Sequence, residues 1–241
     1  MTTLARSVNA GPPALAARLE DIRGRIARAA ERSGRVADAV TLVGATKLVP
    51  AGRVREAVAL GLSDLGESRI QEAEGKIDAV GRAAARWHMI GHLQRNKAGR
   101  AVELFDRVHG VDGMSVAEAL SRRATEARRR IAVLVQVNVG REASKFGVAS
   151  DELEPLLEGV AALPGLALDG LMTVGPAVER AEDARATFAA LRTVRDRAEQ
   201  RLGLKLPELS MGMSGDFEVA VEEGATLVRV GTALFGRRDG T

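Results

Sequence analysis

The stretch Val40-Thr41-Leu42-Val43-Gly44-Ala45-Thr46-Lys47 decides how this chain folds and where its chemistry lies. Its continuous apolar and β-branched run predicts a buried strand that ends at Lys47. A lysine ammonium is costly to bury, so it seldom ends such a run inside a fold without a partner. A lysine amine in a desolvated pocket attacks carbonyl carbons. Lys47 is therefore a candidate nucleophile, and the alternative is an ordinary strand-end lysine whose ammonium lies in water.

Seven further apolar runs follow the first, and amphipathic helical stretches separate them. The strand candidates are 40–46, 64–66, 86–90, 107–111, 132–138, 167–172, 208–211 and 226–230. The helical stretches are 14–32, 51–60, 68–80, 93–102, 115–129, 150–162, 179–202 and 216–223. Strands that alternate with helices form parallel βαβ units, and repeated right-handed crossovers close into a barrel. We expect one α/β domain, a (β/α)8 TIM barrel with an extra N-terminal helix; an open doubly wound sheet is the alternative.

The composition fits that single barrel. The 241 residues are about the usual barrel length of ~250. We expect a flexible N-terminal arm at 1–12 and the barrel domain at 13–241. Cysteine is absent, which excludes disulfides, thiolate metal sites and a cysteine nucleophile. No signal peptide or membrane span is visible, so we expect a cytoplasmic protein without a membrane partner.

The charge pattern excludes one further class of partner. The 35 basic and 32 acidic residues leave a formal net charge of only +3. The densest basic stretch, at 122–130, contains no aromatic residue on which bases could stack. It is typical of a solvated helix face, and we expect no nucleic-acid binding.

Chemistry in such barrels gathers where the strands end, on the C-terminal face. Lys47 follows the first strand, Asn138 ends the fifth and is expected to face the cavity, and Lys145 lies beyond it. The stretches 210–216 and 229–233, at the ends of the seventh and eighth strands, offer the small residues and free N–H groups that a phosphate needs. Phosphate sites in these barrels often use these two loops. An amine for an aldehyde and a phosphate cup together predict a site for pyridoxal 5′-phosphate (PLP).

Eight segments carry a resemblance to a known family. They are LVGATK at 42–47, GESRIQE at 66–72, WHMIGHLQRNK at 87–97, QVNV at 136–139, KFG at 145–147, GLMT at 170–173, LSMGMSGD at 209–216 and VRVGTALFG at 228–236. With these segments in this order, the chain resembles the pyridoxal phosphate homeostasis proteins (YggS-like). The barrel of that family is similar to the N-terminal domain of alanine racemase, which is PLP fold type III. The resemblance covers about 15–236.

The resemblance implies a role for each site residue. Lys47 would hold PLP as a covalent aldimine, a Schiff base, and Arg229 would face the pyridine nitrogen. The residues expected at the phosphate are Ser214, Gly231 and Thr232, with Met211 and Ser210 lining the cup. Ser68 stands where the family commonly has asparagine, and its shorter hydroxyl would reach the cofactor less well.

The expected function is PLP homeostasis rather than efficient catalysis. PLP enzymes that build carbanions usually place a carboxylate at the pyridine nitrogen, whereas Arg229 can only donate hydrogen bonds. In alanine racemase the second acid/base is a tyrosine from a separate C-terminal domain, and this sequence contains no tyrosine. We therefore expect a monomer that carries, buffers or transfers PLP, with apo-enzymes or free amino acids as partners and effects on amino-acid metabolism.

Several alternatives stay open. The chain could be a PLP-dependent enzyme of the racemase or decarboxylase type, or an aldolase-like barrel that uses Lys47 on a sugar phosphate. Lys145 is either a second amine that handles the cofactor or a surface lysine. The i, i+4 pair His88 and His92 crosses a strand and a turn and lacks the acid of a metalloprotease helix, which favours structural roles. His109 is expected to be a buried polar group with a satisfied hydrogen bond.

Overall fold

The computed structural model describes residues 14–140, 142 and 145–236. Eight parallel strands close into a barrel in which every strand pairs with its neighbours in chain order and β8 pairs with β1. The strands are β1 Thr41–Ala45, β2 Asp64–Glu67, β3 Arg86–Met89, β4 Arg107–Val111, β5 Ile131–Gln136, β6 Leu166–Met172, β7 Glu208–Ser210 and β8 Leu227–Val230. The expected (β/α)8 barrel is therefore confirmed, and the open doubly wound sheet is excluded.

Helices follow the strands and form an outer layer. They are α1 Leu15–Arg32, α2 Ala51–Ala59, α3 Ile70–Val80, α4 Ala98–Leu104, α5 Met114–Glu126, α6 Leu153–Ala161, α7 Arg185–Leu202, α8 Phe217–Glu222 and α9 Thr232–Phe235. The helices arise from apolar residues at spacings of three and four; in α1, for example, Leu15, Leu19, Ile22 and Ile26 are buried. α7 ends where Gly203 adopts a left-handed conformation with φ 65°. No helix in these described ranges is long and apolar enough to cross a membrane.

The extra N-terminal helix α1 packs against α8 and α9, the last two helices of the chain. Arg25 forms an ion pair with Glu218 at 2.7 Å and lies over the Phe217 ring, 4.6 Å from its centroid. Nε of Arg18 donates to the carbonyl of Leu234 at 2.7 Å. Since α8 and α9 flank β8, α1 supports the loops on which the predicted phosphate cup lies. The expected arm at 1–12 lies outside the described residues.

Two apolar clusters make up the core. The larger one fills the space between the strands and the helices. The smaller one joins strands directly and contains Val43, Leu134, Met172 and Leu227. Barrel interiors are usually filled by layers of branched apolar side chains. Here the strands also bury His88, His109, Ser210 and Arg229, so that a polar cluster replaces part of that packing.

Most differences from the expected elements are one or two residues at their ends. β5 ends at Gln136, two residues before the expected limit, because Val137 turns to form an isolated parallel bridge with Val148. The expected helix at 93–102 is a 3-10 turn, Arg95–Lys97, followed by α4. The 3-10 turn ends at Lys97, and α4 begins at Ala98.

Candidate functional site

Lys47 lies in a tight turn directly after β1. Its side chain is partly exposed, and it forms no hydrogen bond or ion pair within the described ranges of the chain. Leu48, the next residue, has φ 61°, a left-handed conformation that a branched side chain seldom adopts. Its N–H donates to Oε2 of Glu72 at 2.9 Å, which holds the strained turn in place. The sequence thus folds locally so that the amine of Lys47 is presented without a partner.

A buried ion pair between Lys76 and Glu67 lies next to the turn of Lys47 and holds it through Thr46. Nζ of Lys76, on α3, donates to the carbonyl oxygen of Thr46 at 2.5 Å and to Oε1 of Glu67 at 2.6 Å. The hydroxyl of Thr46 also donates to Oε1 of Glu67. Burial raises the pKa of Glu67, although the hydrogen bonds from Lys76 and Thr46 act in the opposite direction. The second carboxylate oxygen, Oε2, is buried without a hydrogen-bond partner in the described structure.

Arg229 points its guanidinium into the barrel from β8. It is only 4% exposed, and it donates to Oγ of Ser210 at 2.6 Å and to the carbonyl oxygen of Thr173 at 2.8 Å. Both acceptors are neutral. Burial lowers the pKa of Arg229 to about 10, and the charge of Asp216 opposes this effect. At neutral pH, Arg229 is therefore a buried cation held by neutral acceptors, and its remaining N–H groups have no acceptor among the residues that the structure describes.

Ser210 connects Arg229 to a row of polar side chains inside the barrel. Its Oγ lies 2.9 Å from Nδ1 of His109, and Nε2 of His109 lies 2.9 Å from Nδ1 of His88. Nε2 of His88 lies 3.0 Å from Oδ1 of Asp64. Burial, together with the nearby positive charges, lowers the pKa of His109 well below its usual value, so its imidazole is neutral. The expectation that His109 is a satisfied buried polar group is confirmed.

The expected phosphate cup lies at the ends of β7 and β8. The N–H groups of Gly231 and Ala233 both donate to Oγ of Ser214, each at 3.2 Å. Thr232 is exposed between them. Two amide N–H groups therefore converge on one hydroxyl, an arrangement of donors that an anion could use. The side chain of Met211 is fully buried in the larger apolar cluster, so its place in the cup stays a prediction.

Asn138 and Lys145 organise the loop that follows β5. Nδ2 of Asn138 donates to the carbonyls of Glu142 and Lys145 at 2.8 and 3.2 Å, and its Oδ1 accepts from the N–H of Glu142. Nζ of Lys145 donates to Oε1 of Glu142 at 2.5 Å and to the carbonyl of Gly175 at 3.2 Å. The Asn138 side chain is thus occupied within the loop, and its contact with a cofactor stays a prediction. Both polar ends of this loop lie on the C-terminal side of the barrel.

Ser68 follows β2 on the same side as Lys47, and its hydroxyl has no hydrogen-bond partner in the described structure. Its backbone approaches Gly91 so closely that an added Cβ at Gly91 would lie 2.4 Å from the Ser68 carbonyl oxygen. The role of Ser68 at a cofactor stays a prediction. A surface groove of about 1010 Å³ lies elsewhere, between α4 and α5, and none of the predicted site residues lines it.

Three contributors to the site were not predicted from the sequence. Glu67 and Lys76 fix the turn of Lys47, and the Thr173 carbonyl fixes Arg229. Glu67 ends the short buried strand β2, and this position at a strand end is a signal that could have marked it. Lys76 gives no such signal, because it sits in an ordinary amphipathic helix. His92 stacks on Phe146, with centroids 4.0 Å apart, and lies 3.1 Å from Asp112, so it is held at the surface.

Comparison with known proteins gives the family. Residues 18–239 match the model of the alanine racemase N-terminal domain. The pyridoxal phosphate homeostasis protein of Aquifex aeolicus is 42% identical over 221 residues, which cover 92% of this chain and 97% of the relative. The protein of the same name from Pseudomonas aeruginosa is 44% identical over 226 residues, covering 93% and 96%.

Solved structures agree with these relatives. PipY of Synechococcus elongatus, solved with PLP bound, superimposes with a TM-score of 0.82 at 37% identity and covers 92% of this chain and 100% of PipY. An alanine racemase of Clostridium difficile has a TM-score of 0.72 at 15% identity, with 57% of the racemase covered, and this likeness concerns the fold alone. Because these matches extend over most of this chain and most of each relative, the chain belongs to the pyridoxal phosphate homeostasis protein family, built on the alanine racemase N-terminal domain.

Proposed function

We propose that this chain binds PLP and serves PLP homeostasis, with Lys47 as the residue that holds the cofactor covalently. The observation that carries the proposal is the placement of three groups at the ends of neighbouring strands. They are the unpartnered amine after β1, the buried cation of β8 and the two N–H groups at Ser214. Relatives that bear the name of PLP homeostasis proteins, and PipY with PLP bound, support the choice of ligand.

The residues present fit the groups of PLP one by one. The amine of Lys47 would form a C=N bond with the aldehyde carbon, and one water molecule would leave. The N–H groups of Gly231 and Ala233, with the hydroxyls of Ser214 and Thr232, would bind the phosphate. A phosphate oxygen is a stronger acceptor than the Ser214 hydroxyl on which those N–H groups now converge. Arg229 would donate to the pyridine nitrogen.

The same fit disfavours rapid catalysis. When bound, PLP supplies an electrophilic aldehyde and an electron-withdrawing ring, and the ring withdraws most strongly when its nitrogen is protonated. Arg229 can only donate, so it favours the unprotonated ring nitrogen, whose lone pair accepts. We therefore propose that the chain carries, buffers or hands over PLP to apo-enzymes or free amino acids, and that it does so in the cytoplasm as a monomer.

The absorption spectrum with PLP tests this function. We expect wild-type protein to develop a near-visible band that remains after free PLP is removed by gel filtration. Lys47→Ala should abolish the retained band. Lys205→Ala is the matched control, because Lys205 is an exposed lysine between α7 and β7, and that variant should keep the band.

Each other outcome would be informative. A band that survives in Lys47→Ala but vanishes in Lys145→Ala would move the covalent site to the loop after β5. A wild-type protein that retains no PLP at all would overturn the proposed function. An aldolase-like alternative would then be tested by reductive trapping of a sugar-phosphate carbonyl on Lys47.

A further inference from the structure

A continuous row of hydrogen bonds crosses the inside of the barrel. It runs from Arg229 through Ser210, His109 and His88 to Asp64, with successive distances of 2.6, 2.9, 2.9 and 3.0 Å. All five side chains are buried. We propose that Asp64, His88 and His109 are positioning residues: they form a relay of fixed direction that orients Ser210 and, through it, the guanidinium of Arg229. The relay acts on the proposed cofactor site and therefore rests on the proposed function.

The direction of the relay follows first from Arg229. A guanidinium has five N–H donors and no acceptor, so Oγ of Ser210 must accept from it. The single hydrogen of the Ser210 hydroxyl is then available for its other neighbour, Nδ1 of His109 at 2.9 Å. That hydrogen meets an acceptor only when Nδ1 of His109 is the unprotonated nitrogen of that ring. With one proton on a neutral imidazole, Nε2 of His109 carries the hydrogen.

The same argument continues to the far end. Nε2–H of His109 donates to Nδ1 of His88, which must be unprotonated in turn. His88 then carries its proton on Nε2 and donates to Oδ1 of Asp64. Every donor meets one acceptor, so the neutral rings have one fully satisfied arrangement. In that arrangement both histidines are Nε2–H tautomers.

The reverse direction leaves a group unsatisfied. If His88 carried protons on both nitrogens, His109 would have to accept at Nε2 and donate from Nδ1 to Ser210. Oγ of Ser210 would then accept twice, and its own hydrogen would have no acceptor among the contacts of the described structure. An unpaired buried hydroxyl costs about 1–3 kcal/mol. Burial also disfavours a protonated His109, as do the positive charges of Arg229 and the half-buried Arg107, consistent with its lowered pKa.

Asp64 anchors the relay at the opposite end of the barrel from Lys47. It is the first residue of β2, and it lines a cavity of about 180 Å³ at the N-terminal mouth together with Thr41 and Arg107. Its Oδ2 accepts from the hydroxyl of Ser63 at 2.7 Å and from Arg86 at 2.9 Å. Burial opposes ionisation, but the hydrogen bonds from His88, Ser63 and Arg86 lower the pKa of Asp64 to about 2. The far end of the relay is therefore a fixed carboxylate acceptor.

The consequence for the site is a guanidinium with a fixed plane. Oγ of Ser210 and the carbonyl of Thr173 each take one N–H of Arg229, so the remaining N–H groups keep one direction. If the relay ran in the reverse direction, Oγ of Ser210 would accept from His109 as well as from Arg229. Its hydrogen bond with Arg229 would then be weaker. A carboxylate at the N-terminal mouth thus decides how Arg229 is presented on the C-terminal side.

Ring ¹⁵N NMR of the cofactor-free protein tests the relay directly. The sequence contains three histidines, so single substitutions assign every ring. We expect His88 and His109 to be neutral Nε2–H tautomers in wild type at pH 7. An Nδ1–H tautomer or an imidazolium at His109 would overturn the proposal without any variant.

Substitution of Asp64 tests the anchor. Asp64→Ala removes the terminal acceptor, so that either direction leaves one buried hydrogen without an acceptor, and we expect mixed tautomers at His88 and His109. Asp64→Asn retains a carbonyl oxygen as acceptor and should restore the wild-type tautomers. Asp169→Ala is the matched control, because Asp169 pairs with Arg107 at the same mouth, at 2.8 Å, and lies outside the relay. Wild-type tautomers in a folded Asp64→Ala variant would overturn the proposal.

Binding of PLP gives the second measurement. We expect Asp64→Ala to weaken PLP retention about fivefold, the effect of one net hydrogen bond, and to shift the near-visible band, whereas Asp64→Asn and Asp169→Ala should match wild type. Unaltered PLP binding by Asp64→Ala would overturn the link between the relay and Arg229. If wild type binds no PLP while its tautomers are as expected, the proposed function fails and the relay itself stands.

Discussion

Glu67 is a carboxyl near the site whose burial makes its ionised form unfavourable. Its side chain is fully buried, one carboxylate oxygen has no partner in the described structure, and burial raises its pKa. Lys76 compensates for that burial and at the same time holds the carbonyl of Thr46. A buried pair of this kind contributes little net stability, but removal of one partner leaves the other charge without compensation. The pair therefore fixes the turn of Lys47, but loss of either partner would lower the free energy of unfolding.

Lys76→Met should destabilise the protein in a pH-dependent way. At pH 8 we expect a loss of about 3–5 kcal/mol, because Glu67 keeps its burial and loses its cation. A carboxyl whose folded pKa lies above its unfolded pKa contributes stability that is full below the unfolded pKa and is lost as pH rises through the folded pKa. The deficit of Lys76→Met should therefore shrink between pH 8 and pH 5. Urea unfolding of both proteins at the two pH values measures it.

The double variant Lys76→Met with Glu67→Gln is the control for this prediction. The glutamine amide has no charge and can still accept from the hydroxyl of Thr46, so the deficit of the double variant should be the same at pH 5 and pH 8. An equally large, pH-independent deficit in Lys76→Met alone would assign the loss to packing. That result would contradict a role for the Glu67 charge.

At the scale of the elements, the close approach of β6 and β7 depends on the glycine at position 170, which has no side chain. A Cβ added at Gly170 would lie 1.9 Å from the carbonyl oxygen of Glu208, a backbone atom that cannot rotate away. Gly170→Ala should separate the two strands and destabilise the fold by about 3 kcal/mol. Because β7 ends at Ser210, PLP retention should fall as well. Thermal unfolding and gel filtration with PLP measure the two effects.

Gly75 supplies a matched control. It lies within α3, and nothing outside its own helix lies within 4 Å of an added Cβ. Gly75→Ala should therefore raise stability by about 0.5–1 kcal/mol, since glycine in a helix costs backbone entropy. If both substitutions lowered stability equally, the contact between β6 and β7 would not explain the loss at Gly170.

The elements could be predicted from the sequence because periodicity is a local property. Strand runs such as 107–111 match the observed β4, and the alternation with helices predicts a parallel barrel. Local pattern fails where the chain meets a distant segment. The sequence predicts Asn138 at a strand end, for example, but not that its amide holds the carbonyls of Glu142 and Lys145. That outcome depends on how the following loop folds back, which periodicity does not encode.

The supports of the site could not be predicted for the same reason. Lys47 stands out because a lysine at the end of an apolar strand is unusual, and the family resemblance implies the role of Arg229. Lys76 lies 30 positions from Thr46, and His109 lies 101 positions from Ser210. Such pairings exist only after the barrel has closed and brought strands from distant parts of the chain together. The sequence therefore predicts which residues carry chemistry better than which residues hold them.

At the scale of the whole molecule, the barrel connects two faces through a polar interior. The usual apolar layers are interrupted by the relay from Arg229 to Asp64, which forgoes part of the hydrophobic stabilisation of a barrel interior. Buried polar networks are stabilising only when every member is satisfied, and here each member has a partner. A barrel that served only as a scaffold would not need this arrangement. The relay replaces apolar packing with a fixed arrangement of charges and hydrogen bonds at one end of the proposed site.

That environment leads to a prediction about the whole protein with PLP and an amino acid. We expect exchange of the α-proton of L-alanine in D₂O to be no faster than with free PLP, because Arg229, if it donates to the ring nitrogen as proposed, would leave that nitrogen unprotonated and weaken electron withdrawal. The 241 residues also contain no tyrosine to serve as the second acid/base. Loss of the Cα–H signal in ¹H NMR measures the exchange, with an alanine racemase as the positive control. Rapid exchange by the wild-type protein, abolished by Lys47→Ala, would instead establish a racemase-type enzyme and show that an arginine donor at this position does not suppress carbanion chemistry.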